Sequence, residues 1–183
     1  MRLPSPILNL LKKSVMKSLN PSRKYFHLPS DENPEYMERY WVKMPRVTTE
    51  GSLGRNEWAA RLHVIKSSDM DRHLHDHPWW NMSIILEGSY IEEVPGWHGQ
   101  SPLMDQIPGM NKYLLREPGD VVFRKATDRH RLTLVTSRVV SLFVMAPAER
   151  MWGFHTEEGF VPFREYLAQS EKWGRRGDFD ADL

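Results

Sequence analysis

Short runs of β-branched and aromatic residues, separated by turn-forming residues, fill the middle of the chain. They lie at 58–65, 70–76, 82–94, 112–116, 120–125, 130–135 and 138–145. Runs of this length and composition are typical of strands. Pro118-Gly119-Asp120 and Thr136-Ser137 supply turns between consecutive runs. Because no helical periodicity lies among them, the pattern predicts an all-β antiparallel sandwich or barrel.

The N-terminal segment follows a different period. Its apolar residues repeat at helical spacing, with lysines on the opposite side: Ile7, Leu8, Leu11, Val15 and Leu19 against Lys12, Lys13 and Lys17. This pattern predicts an amphipathic helix. Such a helix usually packs on its own domain or on a second subunit, and it could also lie on an anionic surface.

The length of 183 residues fits one domain with extensions. We expect a basic amphipathic N-terminal arm at 1–30, an irregular lead-in at 31–57, a barrel at 58–147 and a C-terminal extension at 148–183. The extension would contain a short helix at 163–172 and a frayed polar tail from residue 174. Residues 95–111 form a loop too long for a hairpin, and such a loop is either a lid or a surface insertion.

The charge balance narrows the range of partners. The chain has 25 basic and 24 acidic residues, and six of the basic ones fall in the acid-free first 30 residues. A net charge of +1 gives no argument for a nucleic-acid partner, and none is expected. The absence of cysteine excludes disulfides, thiolate metal ligands and cysteine nucleophiles. No apolar run suggests a transmembrane segment, and prolines and paired lysines interrupt any signal sequence, so we expect a cytoplasmic protein.

Three histidines stand at alternate positions in one hexapeptide: His73, His75 and His77. On a strand they would share a face, with neighbouring Cα atoms roughly 6–7 Å apart and the outer two about 13 Å apart. Two of them could therefore bind one ion, while the third would be structural. His130, on a later strand, could supply a further ligand. A strand histidine is more often a hydrogen-bonded neutral side chain, but several buried imidazoles without a metal would all need partners.

Two segments around these histidines resemble the two cupin motifs. His75-Asp-His77-Pro-Trp-Trp-Asn81, followed by Gly88, is similar to the first motif, and the segment from Gly119 to His130 is similar to the second. The resemblance covers about half of the chain, roughly 58–147. Uncharacterised bacterial and phage cupin-like proteins with a Trp-Gly-Phe segment, here at 152–154, are also similar.

The resemblance implies a cupin double-stranded β-helix, or jelly-roll, barrel with a metal in its mouth. The metal ligands would be His75, His77 and His130. Asn81 stands where the family usually has a glutamate, and a neutral amide is a poor ligand, so a three-histidine site is expected. The register that uses His73 with His75 stays open. His73, Asn81 and Asp76 could support the ligands or replace one of them.

The cofactor implied is a divalent transition metal, with Fe(II) favoured and Zn, Mn or Ni also suited to imidazole. The function implied is a non-haem iron oxidoreductase, dioxygenase-like, acting on a small polar molecule. A metal-dependent isomerase or lyase and a non-catalytic small-molecule-binding cupin are the alternatives. Candidate substrate contacts are Arg61, His63, Tyr90, Arg124 and His155. Because cupin barrels often pair through their sheets, a homodimer is also expected.

Overall fold

The computed structural model describes residues 1–24, 36–45, 57–69, 71–96 and 111–169. Its helices are α1 (Ser5–Val15) and α2 (Phe163–Ala168). Its strands are β1 (Met37–Lys43), β2 (Ala59–Ile65), β3 (Leu74–His75), β4 (Asn81–Glu87), β5 (Tyr90–Pro95), β6 (Asn111–Arg116), β7 (Val121–Arg124), β8 (Arg131–Leu134), β9 (Val139–Met145), β10 (Gly153–Thr156) and β11 (Gly159–Pro162). Within the described ranges, no helix combines the length and apolar composition that crossing a membrane requires.

The strand order is that of a jelly roll. One sheet runs β1-β2-β9-β4-β7, and a second runs β6-β5-β8. A backbone bridge between His75 and His130 joins β3 to the β8 side of the second sheet, and β3 also pairs with β10. The eight barrel strands, β2 to β9, therefore form two facing antiparallel groups, β2-β9-β4-β7 and β3-β8-β5-β6. This is the double Greek-key order of a jelly roll, so the predicted all-β cupin-type barrel is confirmed.

The run predicted at 82–94 is two strands, because Gly88 turns the chain between β4 and β5. Gly88 has φ 70°, and a Cβ added there would lie 2.1 Å from the carbonyl oxygen of Arg138. Only glycine fits such a backbone without a shift. The run predicted at 70–76 contributes only the two residues of β3.

The lead-in contains one strand that the sequence analysis did not single out. β1 pairs with β2 from Met37 opposite Ile65 to Lys43 opposite Ala60, and it extends the larger sheet. The remaining lead-in at 31–35 and 46–56, the loop at 97–110 and the tail at 170–183 lie outside the described residues.

The N-terminal helix packs on the outer face of the larger sheet. Leu8, Leu11 and Val15 contact an apolar cluster that includes Leu62 and Leu86. The basic side of the helix adds an ion pair of 3.0 Å between Lys12 and Glu87. The amphipathic pattern is thus used to cover the barrel.

The barrel interior has polar residues between two apolar layers. Along β2, Ile65 belongs to one apolar layer and Ala59 to the other, and buried His63 and Arg61 lie between them. The remaining strands add further buried polar side chains at this level: Asn81, Ser83, Glu92, Arg124, His130 and Ser141. A protein interior does not bury this many polar groups without partners, so this layer is where a site is expected.

Candidate metal centre

Three histidines meet at one end of the polar layer. One potential ligand atom from each of His75, His77 and His130 lies within 4.8 Å of the others. The backbone brings two of them together, because the amide of His75 donates to the carbonyl of His130 at 3.0 Å and the reverse bond is 2.9 Å. The Nε2 atoms of His77 and His130 lie 2.9 Å apart. The sheet pairing between β3 and the start of β8 therefore assembles the cluster.

Glu92 contacts the ring of His130 at Nδ1, the ring nitrogen that does not face His77. This nitrogen lies 3.1 Å from Oε1 of Glu92, whose side chain is 1% exposed. Burial would raise the pKa of Glu92, but Arg124 and His130 outweigh it and hold the pKa below its ordinary value. The ionised carboxylate can only accept, so Nδ1 of His130 carries the proton. The lone pair on Nε2 then faces His77.

Two arginines fix Glu92 in this position. Nε of Arg124 donates to Oε1 at 2.8 Å, and Nε of Arg116 donates to Oε2 at 2.7 Å. Arg124 also donates to Oγ of Ser83 at 3.2 Å and to Oδ1 of Asn81 at 3.4 Å. Burial would lower the pKa of Arg124, but Glu92 raises it, so the buried pair stays ionised. Arg124 therefore connects Glu92, Ser83 and Asn81 within the polar layer.

A second carboxylate lies behind His75. Nδ1 of His75 is 4.0 Å from Oδ2 of Asp69, which is too long for a hydrogen bond. Asp69 is buried, and it accepts hydrogen bonds from the amide of Leu132 at 2.7 Å and from the hydroxyl of Tyr36. Of the three rings, only that of His130 thus has a hydrogen-bonded carboxylate among the described residues, and Asp69 lies near His75 without a hydrogen bond to it.

The three imidazoles fit a divalent transition metal. Burial and Arg124 lower the pKa of His130 to about 4, and burial with the neighbouring His130 and His75 rings lowers the pKa of His77 well below its ordinary value. Neutral rings offer their lone pairs to a metal without first losing a proton. A carboxylate behind a ligating histidine is the usual arrangement that orients the ring. This donor set suits iron, zinc, nickel and manganese alike.

His73, Asp76 and His155 lie away from this cluster, where the C-terminal extension packs on the barrel. The ring nitrogens of His73 contact the Tyr166 hydroxyl at 3.0 Å and the Glu157 carboxylate at 2.9 Å. Asp76 is fully buried and accepts from the amide of Gly153 at 3.0 Å, from Nε2 of His155 at 2.9 Å and from Arg150. The short β3 explains this placement, because strand alternation does not extend from His73 to His77.

Arg61 and His63 face the interior of the barrel. Nε of Arg61 donates to Nε2 of His63 at 2.7 Å, and His63 stacks on Phe143 with ring centroids 4.6 Å apart. The ring centroids of Phe143 and His77 are 5.9 Å apart. Phe143 thus links the Arg61–His63 pair to the histidine cluster. Tyr90 is 2% exposed and belongs to an apolar layer below the site.

Asn81 lies buried beside Arg124. Its Oδ1 accepts the bond from Arg124, while its Nδ2 has no hydrogen-bond partner among the described residues. The structure thus places the amide in the polar layer.

Three supporting residues were not singled out from the sequence as partners of the histidines: Glu92, Asp69 and Arg116. The sequence has an acid, Glu92, in β5 and an arginine, Arg124, in β7, and both side chains are buried in the barrel. Neither position shows by itself that the two residues meet.

No family model and no curated protein sequence matches the chain. Solved structures are similar at low identity. An RmlC-like cupin protein from Ralstonia eutropha is 10% identical, with 85% of this chain and 84% of that chain covered and a TM-score of 0.45. KdgF from Halomonas is 11% identical, with coverage of 69% and 88% and a TM-score of 0.44.

Oxalate decarboxylase from Bacillus subtilis is 14% identical with a TM-score of 0.49, and 82% of this chain matches 33% of that longer chain. Similarities at this level transfer no activity or substrate. The strand order and the histidine cluster are features of this structure itself. The chain forms a jelly-roll barrel whose interior brings three histidines together.

Proposed function

We propose that this protein is a metal-dependent cupin in which His75, His77 and His130 hold one divalent transition metal. Fe(II) is the favoured metal. The observation that carries the proposal is the convergence of three imidazoles with His130 oriented by Glu92. The activity proposed is that of a non-haem iron oxidoreductase, dioxygenase-like, on a small polar molecule. When bound at such a site, Fe(II) supplies the redox chemistry that reactions with dioxygen require.

The chain's own residues have distinct tasks in this proposal. Glu92 keeps the proton of His130 on Nδ1, so that Nε2 is free for the metal. Arg124 and Arg116 keep Glu92 ionised and in place, because a buried carboxylate without a cation would take up a proton instead. Phe143 packs against His77 and limits the access of water on that side.

The metal is tested by elemental analysis of the untagged protein after anaerobic reconstitution with Fe(II), Zn(II) or Mn(II). We expect close to one metal per chain in the wild type and its loss in His77→Ala and His130→Ala. His73→Ala is the matched control, because its ring lies against Tyr166 and Glu157. Retention of metal in His73→Ala also decides between the two possible histidine registers. A folded wild type that takes up no metal would overturn the proposal.

The oxidoreductase part needs a separate readout. Nitric oxide, a dioxygen analogue, should bind the Fe(II)-loaded protein and give the electron paramagnetic resonance signal of an iron–nitrosyl centre. Fe(II) that binds stoichiometrically but gives no such signal would contradict a dioxygenase-like site. A strong preference for Zn(II) or Mn(II) would favour an isomerase or lyase, in which the metal polarises a carbonyl group or a water molecule.

A further inference from the structure

A cavity of about 340 Å³ lies against His130 on the side of Glu92. Its walls come from β5, β6, β7 and the turn before β8. This volume is at the small end of ligand-binding pockets. His130 lines the cavity and is also a member of the histidine cluster, but neither His75 nor His77 is among the described lining residues. The cavity therefore lies on the Glu92 side of the His130 ring, and His77 lies on the Nε2 side.

The lining of the cavity is rich in guanidinium groups. Arg116, Arg124 and Arg129 line it, against the acids Glu92 and Asp128. Both acids already have partners. Glu92 accepts from Arg116, Arg124 and His130, and Asp128 accepts from the backbone amide of Lys125 at 2.9 Å, within its own turn.

Arginine donors remain available at the cavity. Arg116 uses Nε for Glu92, and its two terminal nitrogens have no hydrogen bond among the described residues. Arg129 is exposed at the rim and makes no hydrogen bond or ion pair with the described part of the chain. Arg131, which follows His130 in the chain, forms an ion pair with Glu93 and is not among the residues that line the cavity. The cavity therefore has free N–H donors on Arg116 and Arg129, and its lining carries three guanidinium groups against two carboxylates, a net formal charge of +1.

We infer that this cavity binds the carboxylate or phosphate group of a small molecule through Arg116 and Arg129. Guanidinium groups present pairs of N–H donors that match the oxygens of both anions. Arg124 has a different task, because Glu92 neutralises it and holds it in the wall. The inference adds an anion site next to His130 and does not depend on the proposed metal function, because neither His75 nor His77 is among the described lining residues.

The test is calorimetric titration of the protein with malonate and, separately, with inorganic phosphate, before and after removal of metal with a chelator. Malonamide, which has the shape of malonate without its charge, is the ligand control. We expect saturable binding of at least one anion and none of malonamide. Which anion binds distinguishes a carboxylate ligand from a phosphate ligand. No saturable binding of either anion would overturn the inference.

The matched variants are Arg129→Gln and Arg138→Gln, which change the net charge equally. Arg129 has no hydrogen bond or ion pair to lose among the described residues, and Arg138 is an exposed arginine that pairs with Glu87 and is not among the residues that line the cavity. We expect Arg129→Gln to weaken anion binding about tenfold, the loss expected for one charge-assisted contact. Arg138→Gln should leave binding unchanged. Equal weakening by both variants would show a general charge effect and overturn the site.

Metal content is measured in the same samples, so that the two proposals fail separately. Arg129→Gln should keep its metal, because the Arg129 side chain makes no hydrogen bond with His75, His77 or His130. Anion binding by a protein that takes up no metal would support the cavity and contradict the metal function. A metal-loaded protein that binds neither anion would leave the metal function intact and overturn the cavity.

Discussion

Nδ1 of His130 lies 3.1 Å from the carboxylate of Glu92, although 38 residues separate them in the chain. The contact joins β5 to the residue that precedes β8, two neighbours in the smaller sheet. It determines which ring nitrogen of His130 carries a proton and therefore which one can bind a metal. One carboxylate thus orients the late histidine of the cluster.

Glu92→Gln tests this relationship. The neutral amide can still form a hydrogen bond, but it cannot stabilise the ring as a carboxylate does. We expect metal affinity to fall about 10- to 100-fold, the usual effect of changing the group behind a ligating histidine. Competition with a chromophoric chelator measures the affinity, and circular dichroism reports whether the barrel stays folded.

Glu93→Gln is the control, because Glu93 is the next residue on β5 and pairs with Arg131 instead. Its metal affinity should match that of the wild type. If Glu92→Gln binds metal as tightly as Glu93→Gln, the carboxylate has no part in orienting the ligand.

The histidines of the cluster could be identified from the sequence, but their supporting carboxylates could not. His75 and His77 are two residues apart, so local alternation is enough to suggest that they act together. Glu92, Asp69 and Arg116 reach the cluster only through strand pairing across the barrel. A single sequence contains no direct signal for such non-local contacts, because an inward acid and an outward acid look alike until the register is known.

The placement of His73 shows the limit of the alternation argument. Three histidines on one regular strand would share a face, but β3 contains only Leu74 and His75. Beyond these residues the backbone bonds to distant segments, since the amide of Asp76 donates to Gly153 and that of His77 donates to Ala126. The ring of His73 packs with Tyr166 in the C-terminal extension. The fold itself was easier to predict, since short strands and turn residues are local signals.

Gly88→Ala should destabilise the barrel by about 3 kcal/mol or more. A residue other than glycine is strained at φ 70°, and the new Cβ would meet the backbone oxygen of Arg138 at 2.1 Å. Gly159→Ala is the matched control, because Gly159 also has a positive φ but has open space around its Cβ position. We expect it to cost about 1–2 kcal/mol, from backbone strain alone. Urea unfolding of both variants measures the difference, and equal losses would contradict the close approach at Gly88.

The ion pairs of Glu38 should make stability depend on pH in the acid range. Lys24, and then Lys66, lower the pKa of Glu38 to about 2, although partial burial opposes them. Since the folded pKa lies below the unfolded value, the stabilisation is fully present above about pH 4.5 and is lost as the pH falls towards 2. Allowing for solvent screening, we expect Glu38→Gln to cost about 1–2 kcal/mol at pH 7.

The difference between wild type and Glu38→Gln should therefore shrink as unfolding is measured from pH 5 down to pH 2. Glu149→Gln removes an exposed acid that has no ion pair within the described residues. It should lie close to the wild type throughout this range. A constant difference for Glu38→Gln would show that the carboxylate charge is not its source.

Two substitutions in the N-terminal helix test whether it packs on the barrel in solution. Val15 is 8% exposed and packs on the larger sheet, whereas Leu10, on the same helix, is 69% exposed. Val15→Asp would bury an unpaired charge, so we expect a loss of about 3 kcal/mol or more, while Leu10→Asp should change stability by about 0.5 kcal/mol or less. Urea unfolding compares the two variants. Similar, small effects of both would mean that the helix does not cover the barrel in solution. The outer sheet face with Leu62 and Leu86 would then need another partner, because an apolar surface of that kind is rarely left in water.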